Sequence, residues 1–120
     1  MDSFSVGIVQ RNWGTYEVLF DGEGYIVKRL MIDPASALSN QYHKHRSEAW
    51  TVVNGEVILQ LFHPDKDKQM YEIHLKEGES HTISIGTWHR AINPTDGTTE
   101  IVEVWIGNKL SEDDIIRAET

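Results

Sequence analysis

Turn-forming pairs recur along this chain at short intervals, the pattern of an antiparallel β-protein: Asp21-Gly22, Asp33-Pro34, Asn54-Gly55, the cluster from Pro64 to Lys68, Glu77-Gly78, Asn93-Pro94 and Asp96-Gly97. Gly supplies the positive φ that tight turns need and Pro presets a turn-compatible φ, so each pair marks a reversal or a corner. The segments between them are rich in β-branched and aromatic residues: Thr15–Phe20, Tyr25–Ile32, Ala49–Val53, Glu56–Phe62, Met70–Leu75, His81–Ile85, His89–Asn93 and Thr99–Ile106. These runs predict an all-β chain with strands enough to close a small barrel. Asn54-Gly55 is the strongest hairpin signal, and it predicts that the strands on either side pair directly. The one helix expected is C-terminal, with Ser111 capping Glu112–Glu119 and Glu112, Asp113 and Asp114 at the positive end of its dipole.

A length of 120 residues predicts one domain, residues 1–120, and 39% apolar residues with four Trp and four Tyr suffice for its core. Cys is absent, which removes disulfides, thiolate ligands and thiol nucleophiles. A net charge of −8 argues against nucleic acid as a partner, because phosphate backbones are held by clustered Lys and Arg. Residues 1–10 do not read as a signal sequence, and no run of about 18 apolar residues occurs, so a cytoplasmic protein with no membrane partner is expected.

Chemistry concentrates in Gln41-Tyr42-His43-Lys44-His45, where alternation puts Gln41, His43 and His45 on one face of a strand. That face is either solvent-exposed or lines a polar cavity. Glu48 follows, then six residues to Gly55; downstream come Gly78, Ser84, Gly86, His89 and Asn93. Here the sequence resembles the cupin superfamily, whose motifs are written G-x5-H-x-H-x3,4-E-x6-G and G-x5-P-x-G-x2-H-x3-N. The second motif fits with Ser84 in place of Pro. The first lies down in two registers. With His43 and His45 as the His pair, one residue is missing before Glu48; with Gln41 and His43 as the pair the spacing fits, and Ala35 takes the place of the opening Gly. The second register is preferred.

The resemblance implies a double-stranded β-helix of jelly-roll type and one divalent metal ion on Gln41, His43, Glu48 and His89, with His45 as a nearby fifth polar group or alternative ligand. Mixed N and O ligation suits Zn, Mn, Fe, Co or Ni. A more specific likeness runs from Arg11 to Glu119. Arg11-Asn12-Trp13-Gly14-Thr15-Tyr16, the stretch from Leu38 to Gly55, Gly86-Thr87-Trp88-His89-Arg90, Ile101-Val102-Glu103-Val104 and Glu112-Asp113-Asp114-Ile115-Ile116-Arg117 resemble the type II mannose-6-phosphate isomerase cupin. The chain departs from that pattern at Asn12, Ala35, Ala49 and Ser84. Members of that family often carry this domain behind a guanylyltransferase domain whose nucleotide-binding sequence is missing here, so only the isomerase activity is implied.

That activity interconverts mannose 6-phosphate and fructose 6-phosphate, a sugar phosphate being the partner. The implied base is His45 or Glu48, and Arg46, Arg90 and Arg117 are the family-matching guanidinium groups for catalysis and phosphate contact. By alternation Arg46 and Arg90 point away from the ligand face, where a structural ion pair is the alternative. Trp13, Trp50, Trp88 and Trp105 read as core or interface residues, and His63, His74 and His81 as surface histidines. Another metal-dependent cupin enzyme, such as a dioxygenase, and a non-catalytic sugar-binding cupin remain open. A homodimer is expected, since small barrels with several large aromatics commonly cover exposed sheet with a twofold partner.

Overall fold

The computed structural model describes residues 7–111 and 114–118. Among these the chain is all-β, in the order β1 (Ile8–Arg11), β2 (Gly14–Asp21), β3 (Tyr25–Ile32), β4 (Gln41–Tyr42), β5 (Arg46–Asn54), β6 (Glu56–Phe62), β7 (Tyr71–Lys76), β8 (Ser80–Ile83), β9 (Trp88–Ile92), β10 (Thr99–Gly107) and β11 (Ile116–Arg117). Two antiparallel sheets face each other, one ordered β1-β2-β3-β10-β5-β8 and the other β11-β4-β9-β6-β7. Each of the eight predicted runs is a strand to within a few residues. The short β1 and β11 lie outside the predicted runs, and of the strand read at Gln41–His45 only Gln41–Tyr42 is observed, as β4.

Alternation along the long strands turns one row of side chains inward, and the register decides what meets there. Ile101 of β10 lies opposite Leu30 of β3 and Val52 of β5. With Ile32, Val57, Leu59 and Leu61 these side chains are at most 3% exposed and form the apolar half of the interior, each worth about 1.5–3 kcal/mol on burial. Two residues further along β10, Glu103 lies opposite Lys28 and Trp50; two more, and Trp105 lies opposite Ile26 and Glu48. The same alternation that builds the core therefore aims Lys28, Glu103, Glu48 and Arg46 into the other half of the barrel.

Two expectations are corrected. β5 and β6 do not pair, although Asn54-Gly55 joins them: they lie in different sheets. A type I′ hairpin needs positive φ at both central residues, and only Gly55 has it, at 93°. The pair instead makes a corner, fastened by Thr99 Oγ1, which donates to the Glu56 carbonyl at 2.7 Å. The C-terminal helix is also absent from the described residues. Ile116 and Arg117 pair with Tyr42 and Gln41 as β11, while Glu112, Asp113 and Glu119 lie outside the described residues. A helix of two turns has little stability of its own, and the tail gains more from a strand ladder. No helix is long and apolar enough to cross a membrane.

Candidate metal centre and its cavity

β4 ends at Tyr42, and a bend at Lys44-His45 separates it from β5. That bend resets the alternation. His43 is buried and faces inward, His45 is exposed, and Arg46, Glu48 and Trp50 become the inward set of β5. From β9, in the opposite sheet, comes His89, whose Cα partner is Gln41. One ligand atom each from His43, Glu48 and His89 lies within 4.8 Å of the others, and all three side chains are buried.

Each imidazole is oriented from behind. His43 Nδ1 lies 2.6 Å from the Asp114 carbonyl and His89 Nδ1 lies 3.0 Å from the Thr87 carbonyl. A carbonyl only accepts, so both Nδ1 atoms carry a proton, and both Nε2 atoms face Glu48, able to donate to its carboxylate when protonated and to ligate a cation when not. His43 Nε2 stands 3.0 Å from Glu48 Oε2, and His89 Nε2 3.8 Å from Glu48 Oε1. These separations bracket the roughly 3.3 Å between tetrahedral ligands 2.0–2.1 Å from one ion. Lewis bases so close need positive charge between them, supplied by a proton or by a metal ion. The donor set thus fits a divalent cation of the kind that takes N and O ligands, with the second-sphere bonds such sites use.

Arg46 already brings one cation to this point. Its Nε donates to Glu48 Oε2 at 2.9 Å, Nη2 lies 3.3 Å from His43 Nε2, Nη1 donates to the Ser111 carbonyl, and the guanidinium stacks 3.4 Å from the Trp105 ring centroid. Burial pushes the Glu48 carboxyl upward, but the hydrogen bond from His43 and the charges of His89, His43 and Arg46 outweigh it, so the group sits well below the usual carboxylate range. Glu103 goes the other way: burial first, then the charge of Glu48 and a hydrogen bond to it, hold its carboxyl well above that range against the pull of Lys28 and Arg46. Burial likewise lowers His89, against the opposing pull of Glu48. Trp50 Nε1 donates to Glu48 and Trp105 Nε1 to Glu103, so two of the four tryptophans hold carboxyl groups as well as filling core.

The cluster opens onto a cavity of about 400 Å³. Gln41 lines it, as do Arg90 and Arg117, both exposed, and Arg46, which is buried. Arg46 therefore faces the cavity, against the alternation expected for an unbroken strand, and Arg117 does so from β11. Arg90 donates its Nε to the Leu38 carbonyl at 3.1 Å. His45 does not line the cavity. The bend that turns its side chain to solvent removes it both as ligand and as base. Of the other histidines, His74 is exposed and paired with Glu56, while His63 and His81 are half-buried away from the cavity. Lys28, Glu103, Tyr16 and Arg11 are lining residues that the sequence reading missed. Lys28 Nζ rests 4.0 Å from the Tyr16 ring centroid and 4.1 Å from that of Trp105. An isolated Lys in the alternating run Ile26-Val27-Lys28-Arg29-Leu30, at an inward position, was the signal available.

The second motif is built largely as scaffold. Gly86, at φ 81°, closes a turn from Ser84 to Thr87 and donates its N–H to the His43 carbonyl at 2.9 Å. Asn93 is fully buried, and its Nδ2 reaches the carbonyls of Ile32, Asp33 and Gly97. In the first motif Ala35 has φ 53°, at the position where the preferred register replaces Gly.

Residues 5–120 match the family model described as mannose-6-phosphate isomerase C-terminal. The chain belongs to that family. It is 40% identical over 111 residues to the alginate biosynthesis protein AlgA of Pseudomonas aeruginosa, covering 92% of this chain and 22% of that protein. It is 37% identical over 111 residues to a mannose-1-phosphate guanylyltransferase of Salmonella muenchen, with the same coverage. The chain thus spans about a fifth of the length of these relatives. The fold is that of the cupins: the capsular polysaccharide assembling protein CapF of Staphylococcus aureus superposes with TM-score 0.81 at 18% identity over 98% of this chain and 35% of that one. Oxalate decarboxylase of Lactobacillus farciminis gives 0.80 at 15% identity, over 93% and 33%.

Proposed function

We propose that this chain is a metal-dependent aldose–ketose isomerase domain acting on a hexose 6-phosphate, of the kind that interconverts mannose 6-phosphate and fructose 6-phosphate. One observation carries the reading. On a chain of net charge −8, five of eleven Lys and Arg residues (Arg11, Lys28, Arg46, Arg90 and Arg117) line one cavity whose buried end holds His43, Glu48 and His89. A small anion with polar oxygens suits such a space, and Arg is shaped for bidentate phosphate contact.

In this reading His43, Glu48 and His89, with Gln41 beside them, hold one divalent ion of the Zn, Mn, Fe, Co or Ni type. When bound, that ion supplies polarisation of the substrate's carbonyl and neighbouring hydroxyl oxygens. Arg11, Arg90 and Arg117 at the exposed rim grip the phosphate, and Lys28 places an ammonium deeper in the cavity. The reaction moves one proton between neighbouring carbons with no net redox change. Glu48 is committed to the imidazoles, which leaves Glu103, whose carboxyl burial holds above the usual range, to give its proton to the carbonyl oxygen and, as the carboxylate so formed, take the proton from the neighbouring carbon. It then returns that proton to the former carbonyl carbon and takes one from the other hydroxyl, ending as it began. Pairing with a second copy through the exposed group at Phe20, Tyr25 and Ile106 belongs to the same proposal, and light scattering at the monomer mass would remove it.

The test is a coupled assay on metal-reconstituted protein, with mannose 6-phosphate supplied and fructose 6-phosphate detected. A second reading, a non-catalytic sugar-phosphate-binding cupin, draws on Arg46, whose guanidinium already satisfies Glu48 and His43. Binding of mannose 6-phosphate by the metal-loaded protein with no turnover would select it.

A further inference from the structure

The backbone from Asn40 to Arg46 carries His43, and it is bonded almost residue by residue to the C-terminal segment. Ala118 donates its N–H to the Asn40 carbonyl at 2.9 Å. Arg117 and Ile116 pair with Gln41 and Tyr42. Asp114 then makes three bonds at the bend: its carbonyl accepts from His43 Nδ1 at 2.6 Å, and its carboxylate accepts from the N–H of Lys44 at 2.9 Å and of His45 at 2.8 Å. Arg46 Nη1 closes the series on the Ser111 carbonyl at 3.1 Å. Asp114 is itself buried, and its charge-assisted bonds to the exposed Lys44-His45 bend are partly buried.

We propose that Asp114 is a positioning residue for the metal centre, and that the tail from Asp114 to Ala118 is a strap whose docking sets the tautomer and aim of His43. The inference rests on the metal reading for its consequence and on the hydrogen bonds alone for its geometry. His89 takes its orientation from Thr87, on its own turn, so it is built without the strap. His43 is not: the residue that fixes its Nδ1 lies 71 positions away. Without the carboxylate, the Lys44 and His45 N–H groups lose their bonds to the tail, and although the β4–β11 pairing and the Arg46–Ser111 bond remain, the Asp114 carbonyl is no longer seated opposite Nδ1 by its own side chain. The ring is then free to rotate and to carry its proton on Nε2, where a metal cannot bind. Asp114 acts through the bend and through His43 and touches no substrate. Second-sphere partners of this kind typically change metal affinity by about 10- to 100-fold.

The experiment uses the full chain and Co²⁺ alone as probe, with binding read by calorimetry, and long-range ¹H–¹⁵N correlation of the metal-free imidazoles read in parallel. Resonances of His43 and His89 are assigned from His43→Gln and His89→Gln. For Asp114→Ala the expected result is a Co²⁺ dissociation constant raised about 10- to 100-fold, with loss of the Nδ1–H form at His43 and its retention at His89. Asp114→Asn keeps one acceptor for the two N–H groups and should fall between; if Asp114→Ala does not fold, Asp114→Asn decides. A general loosening of the fold would move both histidines together, so selective loss at His43 separates positioning from stability. Unchanged affinity and an unchanged His43 tautomer overturn the proposal. If the wild type takes up no Co²⁺, the metal reading falls and the tautomer decides alone: its loss in the variants supports the strap, its retention refutes it.

Discussion

Ala35→Gly should stabilise this protein, which is an unusual direction for removing a side chain. The backbone Asp33-Pro34-Ala35-Ser36 closes with the Ser36 N–H donating to the Asp33 carbonyl at 3.2 Å. Pro stands at the second position, and Ala35 at the third has φ 53°, the arrangement of a turn that asks for Gly there. An L-residue in the left-handed region costs about 1–2 kcal/mol. Gly returns about 0.4–1 kcal/mol of that through the greater freedom of its unfolded chain. Ala35 is exposed, so the lost methyl forfeits little burial. The net gain is about 1 kcal/mol, and with an unfolding entropy near 2.1 cal/mol/K per residue over 120 residues it raises Tm by about 4 °C. Differential scanning calorimetry of metal-free protein reads it directly. The control is Ala37→Gly, at negative φ, expected to lower stability by about 0.5–1 kcal/mol. A fall in Tm for Ala35→Gly would refute both the strain argument and the register that matches Ala35 to the motif's Gly.

His43→Ala removes one Nε2 from the cluster and should abolish both Co²⁺ uptake and any isomerase turnover, measured by calorimetry and by the coupled assay. Arg117→Ala should raise KM for mannose 6-phosphate roughly tenfold and leave kcat nearly unchanged, since a phosphate grip acts alike in ground and transition states; a fall in kcat at constant KM would contradict it. Glu103→Gln tests the raised carboxyl in metal-stripped protein. Because the folded state holds that proton above the ordinary carboxylate value of 4.5, the stability it contributes is greatest at low pH and is lost as pH rises through the folded value. Gln has no such slope, so the variant's Tm advantage should be small near pH 4 and grow towards pH 8. A gap that does not change with pH would show that burial does not hold the proton there.

Most of the barrel was legible because turn chemistry and alternation are local. Each of the eight long runs carries its own period, and Glu48, His89 and His43 were reached by motif spacing. What the sequence hid were decisions made by tertiary contact. The bend at Lys44-His45 changes which side chains face inward, and the carboxylate that accepts from both of its N–H groups, that of Asp114, lies about seventy residues downstream. Gln41 and Tyr42 form too short a strand to show a period, yet they gain partners on both sides, from β9 and from β11. Asn54-Gly55 has the composition of a hairpin, but the two sheets claim its flanking strands separately. Lys28 and Glu103 looked like ordinary strand charges; only the pairing of β3 with β10 sets them opposite each other inside the barrel.

Drawing five of eleven basic side chains around one cavity leaves the remaining surface more acidic than the chain's average, since among the described acidic residues only Glu48 and Glu103 line that cavity. If the cavity takes a phosphate as proposed, it would sieve anions by size. A long polyanion is too wide for a space of about 400 Å³, touches at most the guanidinium groups at the rim, and is repelled by everything around them. On the proposed function, a single phosphate group would pass that barrier and meet Lys28 and Arg46 at short range, where solvent screens least. Inorganic phosphate is then expected to compete for the site and heparin is not, although heparin carries by far the more charge, and a competition assay against mannose 6-phosphate checks it.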